Sequence, residues 1–176
     1  KILKKNKSIK DELNYVYINV YNESENNTYT LIVTKNISKT TSLIDDYKKR
    51  IEKYTKFSII ELLDYKDTEV STCLLKEKQL ILKQITPKDN LVVLDINGET
   101  FDSVSFAKFI EKELTINSNI TFIIGSSNGL SPDILNMANK RISFSKMTFP
   151  HGLFRAMLLE QIYRSFKILN NETYHK

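Results

Sequence analysis

Residues able to do chemistry crowd into the last third of this 176-residue chain. A strand-forming run, Ile120-Thr121-Phe122-Ile123-Ile124, empties into Gly125-Ser126-Ser127-Asn128-Gly129, so two of the four glycines lie within five residues. Glycine lets backbone approach a ligand closely, and this turn is either a tight connection or one wall of a small-molecule pocket. A second polar loop, Ile96-Asn97-Gly98-Glu99, follows the apolar run Leu91 to Leu94, and a third spans Ser145 to Gly152. His151 and His175 bracket the segment after it: His151 as a first-turn residue of a helix, His175 in a polar tail between Tyr174 and Lys176. Arg155 and Arg164 carry forked donors that grip phosphate or carboxylate, or else pair with Glu160 or another subunit. The two histidines and the distant Cys73 have no metal-ligand spacing, and no Ser-His-Asp or Cys-His arrangement compels covalent chemistry. Both GxGxxG and the GxxxxGK[ST] phosphate loop are missing.

The elements that must position these groups alternate between two periods. Tyr29 to Val33, Ser58 to Leu63, Leu91 to Asp95, Ile120 to Ile124 and Ile142 to Phe144 read as strands. Between them lie helices. The first starts after Thr40 or Thr41 and carries Leu43, Ile44, Tyr47, Ile51 and Tyr54; the second runs from about Thr68 to Gln84 on Val70, Leu74, Leu75, Leu80, Ile81 and Ile85. A third spans Ser103 to Leu114, a short one opens at Ser131-Pro132, and a long one uses Leu153, Phe154, Met157, Leu158, Ile162, Phe166 and Leu169. Its Arg155, Glu160, Arg164 and Lys167 are left for the edges or the opposite face. Strands alternating with helices predict a parallel α/β sheet, whose ligands bind beyond the carboxyl ends of the strands. The three polar loops then share one rim.

The totals fit a single domain, residues 28–176, behind an N-terminal extension, residues 1–27. In the extension, Tyr15 to Tyr21 reads as a short edge strand and Asn22 to Asn27 as a turn or linker. The formal charge of +5 is concentrated at the end, where residues 141–176 hold six basic against two acidic residues. Such a balance suits a phosphate-bearing partner as well as an ordinary lysine-rich surface. One cysteine allows no internal disulfide, which points to a reducing compartment: cytoplasm, or an organelle matrix if a targeting segment preceded the extension. No apolar run is long enough to span a membrane.

Several of these stretches together carry a resemblance. Leu94-Asp95-Ile96-Asn97-Gly98, Ile123 to Pro132, Thr148-Phe149-Pro150-His151, Arg155, Glu160-Gln161, Tyr163-Arg164 and Tyr174-His175-Lys176 resemble the ribosomal RNA large subunit methyltransferase H family of SPOUT methyltransferases, over roughly residues 28–176. The resemblance implies a parallel α/β sheet with a C-terminal deep trefoil knot, S-adenosylmethionine held in the knot, a homodimer, and methylation of N3 of a pseudouridine in large-subunit rRNA on assembled ribosomes. It implies cofactor contacts at Leu94, Gly125, Ser126, Ser145, Lys146, Met147, Thr148, Phe149 and Pro150. His175 is then expected to take or relay the N3 proton, with Tyr174 orienting it and Lys176 favouring the anionic base. Arg155 joins this catalytic group, and Arg155, Arg164 and His151 face RNA or secure the tail. Ser126 and Asn128 depart from the family's glycine and acidic residue. Two other readings stay open: methylation of a different RNA nucleotide, and a non-catalytic RNA-binding or ribosome-assembly protein.

Overall fold

The computed structural model describes residues 18–19, 28–34, 41–63, 65 and 69–174. Its strands are β1 (Ile18–Asn19), β2 (Thr28–Thr34), β3 (Lys56–Leu62), β4 (Asn90–Thr100), β5 (Asn119–Ile124) and β6 (Lys140–Ser143). Its helices are α1 (Thr41–Ile51), α2 (Val70–Leu82), α3 (Ser103–Ile116), α4 (Pro132–Met137) and α5 (His151–Leu169). The strands β2, β5, β4 and β6 lie side by side in that order, all parallel, and β3 pairs β2 in parallel with Thr34 opposite Leu62. The short β1 lies antiparallel to β2, Ile18 opposite Leu31, so the pairing segment expected around Tyr15 to Tyr21 is seen at its two described residues.

Period-two alternation divides the core between two faces. Leu31, Val33, Val92, Leu94, Phe122 and Ile124 turn toward Ile51, Phe106, Ile110, Leu158 and Ile162 of α1, α3 and α5. Ile32, Val93 and Ile123 turn the other way, toward Ile81 of α2 and Ile134 of α4. Helices therefore cover both faces, which explains why the central strands are apolar throughout. Local capping starts two of the helices where the sequence predicts. Asp102 accepts from the Ser105 amide at 2.6 Å, which holds its carboxyl below the usual range, and Ser131 accepts from the Ile134 amide at 3.4 Å with Pro132 next in line.

Two helices depart from the expected burial at some positions. On α2 the buried line is Cys73, Glu77 and Ile81, while Val70 and Leu75 are each 53% exposed. These three recur every four residues, and the sheet accepts that narrow stripe rather than the broader apolar side. The buried Cys73 thiol donates to the Tyr65 carbonyl at 3.1 Å. On α5, Leu158, Ile162 and Phe166 are buried as expected, but Arg155 is buried and Leu153 exposed, the reverse of the expectation at those two positions.

One crossing of the backbone positions everything that follows. Ile142 of β6 pairs with Leu94 and again with Glu99, so residues 95–98 form an excursion that leaves and rejoins the same ladder. At Gly98 an added Cβ would stand 2.5 Å from the Ile142 carbonyl carbon, so a side chain has no room. Lys146 fastens the excursion from beyond β6, donating to the Ile96 carbonyl at 2.9 Å.

Candidate functional site

The carboxyl ends of β4 and β5 and the segment after β6 enclose one cavity of about 730 Å³, within the size range of small-molecule sites. β4 contributes Leu94, Asp95 and Ile96; β5 and its turn contribute Ile124 to Leu130; the third wall runs from Ile142 to Ser145 and from Met147 to Phe149. The strand order explains the place. From β4 the chain proceeds to β5 on one side, and from β5 to β6 on the other, leaving a crevice where the connections part.

Each wall is held by its own bonds. Ser126, only 6% exposed, accepts from the Asn128 amide at 3.2 Å and closes the turn, and Gly129 takes a φ of 80° that suits glycine. At Gly125 an added Cβ would stand 2.4 Å from the Gly129 carbonyl oxygen, so the turn folds back on its own first residue. Ser143 donates to the Ser145 carbonyl at 3.0 Å, and the Ser145 hydroxyl accepts from the Met147 amide at 3.0 Å. Phe149 stacks on Phe154, which packs edge-on against Phe144.

Of the residues expected to touch a cofactor, Leu94, Gly125, Ser126, Ser145, Met147, Thr148 and Phe149 line the cavity, as does His151 at the start of α5. Lys146 and Pro150 do not: Lys146 straps the 95–98 excursion, and Pro150 is the N-cap residue of α5. Asp95 also lines the cavity and was not singled out by its sequence, although an acid at a strand's carboxyl end is a signal of the right kind.

Arg155 does not line the cavity. It is 3% exposed and bonds Glu61 of β3 at 2.8 Å. Burial pulls its proton affinity down, and the Glu61 carboxylate pushes it back up. The pair joins α5 to the sheet. Arg164 instead bonds Glu160 one turn earlier and lies 4.8 Å from the Tyr174 ring centre. The Tyr174 hydroxyl donates to the same Glu160 carboxylate at 3.2 Å. Burial, the Tyr47 hydroxyl and Glu160 raise the Tyr174 phenol well above its ordinary value, so it stays protonated and serves as a donor. Glu160 thereby anchors the tail, a role its sequence position did not disclose. His175 and Lys176 lie outside the described residues.

A family model described as "Predicted SPOUT methyltransferase" matches residues 28–175. The chain belongs to the SPOUT methyltransferase family. Curated relatives include Ribosomal RNA large subunit methyltransferase H of Clostridium botulinum, 50% identical in strain 657 and 49% in strain Hall, each over 140 residues covering 76% of this chain and 88% of the relative. Ribosomal RNA large subunit methyltransferase H 1 of Clostridium perfringens strain SM101 is 47% identical over the same coverage. A probable methylase family protein from Haemophilus influenzae Rd KW20 aligns in structure with a TM-score of 0.49 and 12% identity, over 83% of this chain and 68% of that one.

For a SPOUT methyltransferase the group to be tested against the cavity is S-adenosylmethionine, and the residues present fit it. Leu94, Ile124 and Phe149 offer apolar walls for a purine, Ser126 and Thr148 hydroxyls for sugar and amino-acid groups, and Asp95 a carboxylate for an ammonium or sulfonium. Among the described residues no cluster of acids, histidines and cysteines is suited to a metal ion.

Proposed function

We propose that this protein methylates N3 of a pseudouridine in large-subunit ribosomal RNA, using S-adenosylmethionine, acting on assembled particles as a homodimer. The single observation that carries the reading is the meeting of the β4, β5 and post-β6 loops around one cavity, in a chain 49% identical to a protein named for methylating large-subunit rRNA. The excursion at 95–98, with the backbone of β6 pressed against Gly98, supports a knotted threading of the C-terminal part.

When bound, S-adenosylmethionine supplies an electrophilic methyl group on a positively charged sulfur. The protein's task is to position and to move a proton. Leu94, Ile124 and Phe149 exclude water, while the Gly125 to Gly129 turn holds its shape through its own bonds. N3 of the base must shed its proton before its lone pair can attack, and His175 is assigned as the acceptor. Tyr174, fixed to Glu160 and covered by Arg164, sets where that tail leaves α5. Lys176 favours the partly anionic base.

Incubation with labelled S-adenosylmethionine and undermodified large subunits, followed by identification of the labelled nucleotide, tests the reading. Label on N3 of a pseudouridine is expected; label on another nucleotide makes it a methyltransferase of different specificity. Calorimetry without detectable donor binding would leave a non-catalytic RNA-binding protein.

A further inference from the structure

A second cavity of about 430 Å³ lies against the first, and the two share Ile142, Ser143 and Phe144 as a common wall. Phe101, Phe106 and Phe144 supply aromatic surface, with Phe106 and Phe144 packed edge to face at 6.2 Å. Its polar lining is Asp102, Ser103, Ser143, Glu160 and Gln161. Glu160 is also the residue that receives Tyr174, so the C-terminal tail reaches the rim of this second space. We propose that this cavity receives the target nucleobase, and that the Gln161 side-chain carbonyl accepts the N1–H by which pseudouridine differs from uridine.

Three features fit a uracil-type base. Flat aromatic surface stacks any base. The shared wall puts such a base beside the methyl-donor cavity, and Tyr174 is held at Glu160 on the same rim. The amide orientation follows from bonding. Gln161 Nε2 donates to Glu160 Oε2 at 2.7 Å, and a carboxylate can only accept, so the amide oxygen must point away from it. That oxygen takes a bond from the Ser103 hydroxyl at 2.9 Å and keeps a second lone pair. Uridine presents a carbon-bound hydrogen where pseudouridine presents N1–H. A site built around an acceptor there discriminates between the two, because in the uridine complex the second lone pair of Gln161 Oε1 faces a carbon-bound hydrogen instead of a donor.

The inference rests on the proposed function, and its test separates the two. Full-length wild type, Gln161→Met and Ser103→Ala are compared on large subunits carrying either pseudouridine or uridine at the target position. S-adenosylmethionine affinity, mass of the assembly in solution and thermal midpoint are read alongside. Gln161→Met keeps the volume but removes the acceptor, and should cut kcat/KM on pseudouridine subunits by about ten- to a hundredfold toward the uridine value. Ser103→Ala frees the amide and should cut it by a few-fold in the same direction; it carries the test if Gln161→Met does not fold. Donor affinity stays within about twofold. Unchanged discrimination in either folded variant overturns the proposal, as does a wild type that methylates uridine equally well. So does a variant that loses donor affinity, since the residue then supports the first cavity. A changed mass of the assembly in solution with intact discrimination assigns the space to a second copy of the chain. A wild type that binds no S-adenosylmethionine overturns the proposed function itself, and this inference with it.

Discussion

Three residues show how differently single positions carry this structure. Gly98 has backbone 2.5 Å from where a Cβ would sit, whereas a Cβ on Gly129 meets nothing within 4 Å and is opposed only by its φ of 80°. Gly98→Ala should therefore lower the unfolding free energy by about 3 kcal/mol or more, and Gly129→Ala by about 1–2 kcal/mol. Denaturant unfolding of the two variants measures the difference, and the opposite order would mean that residues 95–98 can move aside. Arg155 is the third. Removing its guanidinium strands Glu61 beside a buried hole, so Arg155→Ala should cost about 2–4 kcal/mol while donor affinity holds. A fall in turnover with unchanged stability would return Arg155 to the reacting groups.

Helix α5 joins core, cavity and tail in one element. His151 begins it at the rim of the larger cavity, Arg155 ties it to β3, and Glu160 holds Tyr174 near its carboxyl half. In its last turn Lys167 bonds Glu172, which lies beyond the helix end and also accepts from the Tyr54 hydroxyl at 3.1 Å. Lys167, then Tyr54, hold the Glu172 carboxyl below its ordinary value, and Glu172 raises the Lys167 ammonium. The carboxylate's share of the anchoring is present above its ordinary pKa and disappears as pH falls through the lowered value. The ammonium's share is present below the ordinary lysine pKa and disappears as pH rises through the raised one. Protease cleavage between residues 169 and 174 should accordingly stay slow at neutral pH and accelerate in acid below the usual carboxylate range. Tyr54→Phe should move that acceleration to higher pH; a flat profile in both proteins would mean that these bonds do not hold the tail. Glu160→Ala releases both Tyr174 and Arg164, so kcat should fall by about tenfold or more while the donor dissociation constant changes little.

At the scale of the whole molecule, the two cavities meet at a wall of three residues, and a net charge of only +5 lies mostly in residues 141–176. On the proposed function, neither cavity is an extended groove among the described residues, and the particle that presents the target supplies the rest of the contact surface. Methylation of intact large subunits should exceed that of a short hairpin carrying the same loop by orders of magnitude, in parallel assays at one salt concentration. Comparable rates would place recognition within the hairpin.

Strand and helix periods made the parallel α/β sheet legible, because apolar runs such as Leu91 to Leu94 and Ile120 to Ile124 need cover on both faces whatever surrounds them. The turn at Gly125 and the loop after Leu94 were legible as rim elements for the same reason: parallel strands put their carboxyl ends on one side. The sequence by itself therefore determined the layers and which loops could meet. Tertiary structure alone decided that Glu77 and Arg155 are buried, that Lys146 straps a loop rather than lining the cavity, and that Glu160 is the anchor of the tail. Helical spacing fixes which residues share a face, but the partner for that face is set by distant segments: Glu61 lies 94 residues from Arg155, and Ile96 lies 50 from Lys146.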